Sequence, residues 1–309
     1  MRIAYLIIAH HQPELFKRAI RALDSEYAHF FINIDLKSDI SKFIPSSPKK
    51  NINFSQDRIW VNHSGFSGAW VVVKLLEKAI KGQFDFYLTM TGQCYPIKDN
   101  IYIYEFLRKH KKTNFINFYP LIKDADLIKN IKNYFFIDQV GNHIRKTAIK
   151  RNLYRLIKLF NIFLPERAFI PGLTPYRGSA YFCLNRPTAE YVCRFIQSAS
   201  GTNLIKFFKY AKAADEMFFQ TIILNSPHAK DCRYYDRDII QSNHFMKNEN
   251  KAYLHYIDWD PKRDYPAPAI LDERDFRKIK ESEFLFARKF DKKKSEKLLN
   301  QIDKDILGE

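Results

Sequence analysis

Short, unbroken apolar runs alternate with helical segments along the first ninety residues of the chain. Residues 3–9 form one such run, 13–23 carry apolar side chains at helical spacing, and 30–34 form a second run. The same alternation recurs further on, with a short run, a helical stretch and another run at 59–61, 69–80 and 84–90. Strands that alternate with helices of this length predict an α/β fold with a mostly parallel central sheet covered on both faces.

Polar residues follow these predicted strands. Asp35 comes after the second strand, His63 after the run at 59–61, and Thr91-Gly92 after the next. Ligands of parallel α/β sheets bind beyond the carboxyl ends of the strands. We therefore expect these residues to share one edge of the sheet and to border a ligand site.

The composition is that of a globular protein with a strong positive charge. Of the 309 residues, 46% are apolar and 16% aromatic, which excludes a disordered chain. Lys and Arg number 51 against 34 acids, a net charge of +17 that favours polyanions such as nucleic acid, acidic lipid or phosphorylated substrates. A general lysine bias without any specific partner is the alternative interpretation. No apolar run approaches the roughly 20 residues needed to span a bilayer.

A basic segment near 144–160 has one apolar stripe and six cations on its other faces. Such an amphipathic helix can lie on an anionic membrane surface, or it can pack on the protein body with a solvated cationic face. Both interpretations stay open. The chain shows no internal repeat and no long linker, which predicts a single domain over 1–309.

Two clusters carry groups suited to transfer chemistry. Asp215 and Glu216 stand at the start of an apolar helix, where a carboxylate can cap the helix or act as a general base with a pKa raised by nearby aromatic residues. Arg288 and Lys289 lie among aromatic residues, where they can cover the core or neutralise a diphosphate leaving group. The three Asp-x-Asp strings at 124–126, 236–238 and 258–260 fit solvated loops better than a metal site.

Eight strings, in order along the chain, resemble the core-2/I-branching β-1,6-N-acetylglucosaminyltransferases, a family that includes the peptide O-xylosyltransferases. One of them is Thr91-Gly92-Gln93-Cys94-Tyr95-Pro96, and another begins at Asp215-Glu216. The others lie at 9–11, 34–38, 64–67, 178–182, 257–259 and 285–291. Each string is weak alone, but their common order covers nearly the whole chain.

The resemblance implies a GT-A type Rossmann-like glycosyltransferase fold and inverting transfer from a UDP-sugar without metal or other cofactor. It implies a nucleotide-binding half at 1–115, an acceptor and catalytic half at 116–290, and a helical tail at 291–309. By position, Glu216 corresponds to the catalytic base. The residues implied to bind the donor are His10, Asp35, His63, Thr91, Gly92, Arg288 and Lys289. Those implied to contact the acceptor are Ser179, Asp215, Tyr256 and Trp259, although core packing explains the last two nearly as well.

The chain departs from the family pattern at two places. Cys94 stands where the family commonly has an aspartate, and no clear counterpart of an upstream diphosphate-binding arginine is present at 264–268. Lys262, Arg263 and Arg288 are the candidates for that role. The first strand begins directly at the amino terminus, so we expect a cytoplasmic bacterial member, peripheral on the inner membrane face, that extends a surface glycan.

The expected partners are therefore a UDP-sugar and a glycan acceptor, the latter carried on a lipid diphosphate in one version of the hypothesis. GlcNAc is the first expectation for the sugar, with xylose, galactose or glucose as alternatives. A nucleic-acid-binding protein and a catalytically inactive sugar-binding relative are the competing functions. Against the former, the basic residues are distributed along the chain and no recognised nucleic-acid motif is present; we expect no nucleic-acid partner.

Overall fold

The computed structural model describes residues 1–121 apart from 46 and 48, 124–140, 163–236, 252–260, 262–263 and 268–308, together with 152 and 156. The basic segment at 144–160 lies outside the described residues except for Asn152 and Leu156. In the described part, no helix has both the length and the apolar composition that crossing a bilayer requires.

A six-stranded sheet forms the centre of the molecule. Its strands are β1 (Ile3–Ala9), β2 (Ala28–Ile34), β3 (Ile52–Phe54), β4 (Phe86–Thr91), β6 (Phe115–Ile116) and β9 (Phe182–Asn185), in the spatial order β3-β2-β1-β4-β9-β6. Strands β3, β2, β1 and β4 run parallel, whereas β9 is antiparallel to both of its neighbours. This arrangement confirms the predicted mostly parallel sheet, which takes strands from both predicted halves of the chain.

Smaller elements complete the sheets. The remaining strands of the described residues are β5 (Tyr95–Pro96), β7 (Tyr119–Pro120), β8 (Tyr176–Arg177), β10 (His255–Ile257) and β11 (Phe286–Arg288). Strands β10, β11 and β5 form a three-stranded sheet in that order, and β7 pairs with β8 in a two-stranded ribbon. The α-helices of the described residues are α1 (Pro13–Leu23), α2 (Phe66–Ala79), α3 (Asn100–Lys109), α4 (Lys129–Lys132), α5 (Ile137–Val140), α6 (Arg186–Gln197), α7 (Ala199–Phe208), α8 (Phe218–Leu224), α9 (Phe276–Glu281) and α10 (Glu296–Ile302).

Helices cover both faces of the main sheet because successive strand residues point to opposite sides. Ala4 and Leu6 of β1 belong to a core cluster with α2, α6 and α8. Tyr5 and Ile7 point to the other face, in a cluster with α1 and α3. Nearly every side chain of β1 is buried, which explains the unbroken apolar run in the sequence.

The last helix anchors the end of the chain to the body. Leu298, Leu299 and Ile302 of α10 are buried in a third cluster with the outer side of α1. Asp303 pairs with Arg18 of α1 at 2.5 Å and accepts a hydrogen bond from the hydroxyl of Tyr95 at 2.7 Å. The helical tail expected at 291–309 therefore stabilises the core around β5 and β11.

The strand predicted at 59–61 is wrong. These residues form no strand, and the third parallel strand is instead β3 at Ile52–Phe54. The amide of Ile59 donates to the side chain of Asn33 at 3.3 Å, and its carbonyl accepts from the amide of Leu36 at 3.2 Å. A short apolar run does not by itself distinguish a strand from an irregular, half-buried segment held by such contacts.

Candidate active site

Asp35 lies at the carboxyl edge of the main sheet, directly after β2. Its side chain is buried and forms an ion pair with Lys37 at 3.2 Å, and it accepts a hydrogen bond from the amide of Lys37 at 3.0 Å. The amide of Asp35 donates to the carbonyl of Ala9 at 2.8 Å, which places this carboxylate beside the end of β1. The predicted neighbourhood of Asp35 and His10 is therefore present.

Gly92 allows the turn after β4 to lie against β1. A Cβ atom at Gly92 would lie 2.8 Å from the Cβ of Ala9, closer than two carbon atoms can approach. The amide of Gly92 donates to the carbonyl of Ile8 at 3.0 Å, and Thr91 contacts the thiol of Cys94 at 3.4 Å. The turn after β4 therefore packs closely against the end of β1, the strand that His10 follows.

Arg288 and Lys289 reach the same edge from the end of β11. Burial lowers the pKa of His10, Asp35 opposes this change, and the charges of Lys37 and Lys289 lower the pKa further. Lys289 also contributes to lowering the pKa of His11 to about 4, after burial and the neighbouring His10. A lysine at the end of the chain therefore acts on two histidines near its start.

The loop that carries Lys289 is tied to the beginning of α1. The Gln12 side-chain amide donates to Asp291 at 2.8 Å, and its oxygen accepts from the amide of Lys292 at 2.6 Å. The amide of Phe290 donates to the carbonyl of Gln93 at 3.1 Å. These contacts hold the loop between α1 and the turn after β4.

Arg288 lies over the ring of Tyr181, with 4.9 Å between the guanidinium carbon and the ring centroid. Burial raises the pKa of the Cys94 thiol, and the neighbouring Arg288 acts in the opposite direction. Among the described ion pairs, Arg288 has no carboxylate partner, whereas Arg263 pairs with Asp258 at 2.7 Å and Asp275 at 2.5 Å. Of these two arginines, Arg288 is the one whose charge is left for a ligand.

Glu216 ends a short 3₁₀ turn, Ala214–Glu216, just before α8. Its carboxylate forms an ion pair with Arg177 on β8, and its carbonyl accepts from the amide of Gly178 at 2.8 Å. A Cβ at Gly178 would lie 1.7 Å from the carbonyl oxygen of Asn117, so only glycine fits here. The β7–β8 ribbon therefore fixes the position of the Glu216 carboxylate, which remains partly exposed.

Asp215 is the carboxyl of this pair whose pKa is raised, to about 7. Burial is the main cause, the charge of Glu216 adds to it, and Arg177 partly offsets both. The Asp215 carboxylate lies against the first turn of α2, since a Cβ at Gly68 would be 3.8 Å from its Oδ2. The expectation of a carboxyl tuned upward thus applies to Asp215, next to the predicted base.

We expect the substitution Asp215→Asn to change the pH dependence of stability. The folded-state pKa lies above the ordinary value of 3.8, so the folded protein holds a proton that the unfolded chain releases. The carboxyl therefore contributes stability below about pH 4, and this contribution is lost as the pH rises through 7. Asp215→Asn should raise the free energy of unfolding at pH 8 by about 1–3 kcal/mol. This range is smaller than the full pKa difference implies, because the side chain is half-buried and solvent screens part of its charge.

Urea unfolding at pH 4 and pH 8 measures this difference. The variant should match the native protein within about 0.5 kcal/mol at pH 4 and exceed it at pH 8. A difference of the same size at both values would contradict the assignment, because it would reflect packing and not ionisation.

The loop before α2 contacts the Asp215-Glu216 turn. His63 is exposed in the loop before α2, and the next residue, Ser64, has a φ of 65°. The carbonyl of Ser64 accepts from the amide of Ala213 at 2.7 Å. The amino end of α2 is held by Asp138, which accepts from the amide of Ser67 at 2.8 Å.

The residues predicted to contact the acceptor are divided between two places. Ser179 lies near the Asp215-Glu216 turn, where its carbonyl accepts from the side chain of Gln220 at 2.6 Å. Tyr256 is half-buried and packs edge-on against Phe284 with 6.1 Å between ring centroids, so core packing accounts for it. Trp259 is 48% exposed. The acceptor role of these side chains stays a prediction.

Sequence reasoning did not identify Arg177 as part of the site. Arg177 lies immediately before the string Gly178-Ser179-Ala180-Tyr181, and that position was the only signal in the sequence. Its contact with Glu216 spans 39 residues and depends on the pairing of Tyr119 with Arg177 in the β7–β8 ribbon.

The Asp-x-Asp strings serve structural contacts where they are described. Asp126 is exposed and pairs with Lys129 at 3.1 Å, while Asp258 pairs with Arg263. The string at 236–238 lies outside the described residues after Asp236. Within the described ranges, no group of three or more His, Cys, Asp or Glu side chains is placed to hold a metal ion.

A mostly parallel sheet covered by helices on both faces, with polar residues along its carboxyl edge, is the layout of a GT-A type Rossmann-like fold. A family model described as "Branch: Core-2/I-Branching enzyme" matches residues 3–280. The chain therefore belongs to the core-2/I-branching enzyme family.

Curated relatives agree with this membership. The chain is 22% identical over 329 residues to xylosyltransferase 1 of Rattus norvegicus, and 23% identical over 323 residues to xylosyltransferase 1 of Homo sapiens. It is also 23% identical over 323 residues to xylosyltransferase 2 of Canis lupus familiaris. These alignments cover 100% of this chain and 36%, 31% and 34% of the respective relatives. The chain thus spans about a third of the length of these relatives.

Proposed function

We propose that the protein transfers a sugar from a UDP-sugar to a hydroxyl of a glycan acceptor, with inversion and without a bound metal. The observation that carries this proposal is the placement of Glu216 and of Arg288-Lys289 around one edge of the sheet. Tyr181 links these two places. Burial raises its pKa, and the charges of Arg288 and of Asp215, the residue next to Glu216, both act on it.

In the proposed reaction, Glu216 accepts the proton of the acceptor hydroxyl while the oxygen of that hydroxyl attacks the anomeric carbon. The bond from that carbon to the UDP oxygen breaks, and UDP leaves with the bonding electron pair. A carboxylate within hydrogen-bond reach of that hydroxyl suits the first role, and the ion pair with Arg177 holds the carboxylate in position. One displacement of this kind inverts the configuration, and no enzyme nucleophile takes part.

The departing diphosphate needs positive charge placed in advance. Lys289 and Arg288 supply it in our proposal, and the structure supports Arg288 over Arg263 because Arg263 is already paired with carboxylates. Asp35, His10 and His63 would contact the uridine part, beside the turn at Thr91-Gly92. This assignment places the sugar between the cations and Glu216.

The donor sugar is proposed from family and relatives, and pocket shape would decide it. GlcNAc follows from the N-acetylglucosaminyltransferase activity for which the family is named, and xylose follows from the names of the similar curated proteins. We further propose a cytoplasmic role in bacterial surface polysaccharide synthesis, with the acceptor carried on a lipid diphosphate. The membrane contact proposed for segment 144–160 concerns residues outside the described part.

Thermal-shift and turnover measurements with a panel of UDP-sugars, each with and without EDTA, test the proposal. One donor should raise the melting temperature in EDTA, and its hydrolysis or transfer should continue without added metal. Binding that requires a divalent cation would contradict the metal-free mechanism, and binding of no UDP-sugar would contradict the donor class. CMP- and GDP-sugars serve as matched controls for the nucleotide.

A further inference from the structure

A cavity of about 800 Å³ runs along α3, away from the candidate active site. Its lining includes Tyr102, Phe106, Lys109, Lys111 and Arg233. Two chain segments build it, because the amide of Asn114 donates to the carbonyl of Asp231 at 2.7 Å and the amide of Arg233 donates back to the carbonyl of Asn114 at 2.8 Å. The cavity is therefore a fixed feature of the fold.

The loop that follows α3 contacts the amino edge of the main sheet. The side chain of Asn185, at the end of antiparallel β9, donates to the carbonyl of Lys112 at 2.8 Å. Asn185 pairs with Phe86, the first residue of β4, whereas the candidate active site follows the last residue of β4. The six residues of β4 separate the two edges by about 20 Å.

The lysines at this edge carry uncompensated charge. Lys109, Lys111 and Lys112 are exposed, and none of them has a carboxylate partner among the ion pairs of the described residues. The arginines beside them differ, since Arg108 pairs with Glu105 at 2.6 Å and Arg233 approaches Glu283 at 3.9 Å. Three adjacent positive charges therefore face the solvent.

Exposed apolar side chains border these lysines. Ile101 is 72% exposed, Tyr102 is 47% exposed, and both belong to α3. Tyr102 and Lys109 lie seven residues apart, close to two helical turns, so they share one side of α3. Tyr234 is 59% exposed with a φ of 61°, and the Arg233 guanidinium lies 4.9 Å from its ring centroid.

We propose that this α3 surface, formed by Ile101, Tyr102, Lys109, Lys111, Lys112 and Tyr234, docks the protein on an anionic lipid bilayer. Lysines at a negative leaflet each strengthen binding roughly five-fold. Isoleucine and tyrosine gain by leaving water for the interface between headgroups and acyl chains. A soluble polyanion would match the lysines but would leave the apolar side chains in water, and this difference favours the bilayer.

Sedimentation with lipid vesicles tests the proposal on the full chain. Vesicles with roughly 30% phosphatidylglycerol in phosphatidylcholine should bind the protein at low salt, and pure phosphatidylcholine should bind it at least about tenfold more weakly. The triple substitution Lys109→Gln, Lys111→Gln and Lys112→Gln should weaken binding on the order of 100-fold. The pair Ile101→Ser and Tyr102→Ser should weaken it about tenfold, and this effect should persist at high salt.

A second triple variant provides the matched control. Lys42→Gln, Lys81→Gln and Lys206→Gln remove the same charge from exposed positions outside this surface and should change binding less than about fivefold. An equal loss in both triple variants would overturn the proposal, since net charge alone would explain the binding. Retained vesicle binding in the first triple variant would also overturn it. Binding to heparin but not to vesicles would assign the surface to a soluble polyanion and reject the bilayer.

Discussion

Glu216→Gln is expected to lower the turnover number for sugar transfer by about 10³-fold while leaving UDP-sugar binding within about threefold of the native protein. The amide keeps the size of the side chain but cannot accept the proton of the acceptor hydroxyl. The measurements are transfer rates at saturating donor and acceptor, and the melting-temperature shift produced by the donor.

Two neighbouring substitutions make the result specific. Asp215→Asn removes the adjacent carboxyl, and we expect it to retain at least about a tenth of the native turnover. Arg177→Met breaks the ion pair with Glu216 but leaves the carboxylate in place. If Asp215→Asn were the more damaging change, the base would be Asp215, whose pKa near 7 also suits proton transfer. If Arg177→Met lost as much as Glu216→Gln, the broken ion pair would explain the effect.

Lys289→Ala is expected to reduce turnover by about 10²–10³-fold and to abolish the thermal shift that the donor produces. The charge of Lys289 acts on His10 and His11 from a loop fixed by Gln12 and Phe290. In the proposed mechanism both donor binding and departure of UDP depend on this charge, which distinguishes Lys289 from Glu216.

Lys293→Ala is the matched control because this lysine is exposed four residues further along the same loop. It should bind the donor like the native protein. An added primary amine such as methylammonium should partly restore turnover in Lys289→Ala if the missing charge is the cause. A Lys289→Ala variant that still shows the full donor-induced shift would contradict the assignment of this residue to the diphosphate.

The predicted elements with strong periodicity agree with the structure. Helix α1 was expected at 13–23 and occupies Pro13–Leu23, since its apolar positions recur on one face. The run at 59–61 gave the wrong element, and the antiparallel strands β6 and β9 were not placed, because their pairing depends on contacts distant in sequence. Local periodicity carries no information on which strands become neighbours.

The predicted roles of Glu216 and Lys289 come from the family strings, whereas the physical pattern alone left helix capping and core coverage as alternatives. Arg177 was missed because its partner is 39 residues away and the contact depends on a two-residue ribbon. Sequence also left open which of the two carboxyls has the raised pKa, since the effect on Asp215 depends on burial against the first turn of α2. Such effects follow from tertiary packing, which a single sequence does not display.

The contact between Gln12 and Asp291 joins residues 279 positions apart, and it has a consequence for synthesis of the chain on the ribosome. Strands β1, β2, β3 and β4 are complete once residue 91 has been made, so the parallel core has its own material early. The two cations arrive only with residues 288 and 289, next to the anchoring helix α10. If these cations bind the donor as proposed, a nascent chain would contain all four parallel strands about 200 residues before it could bind that ligand.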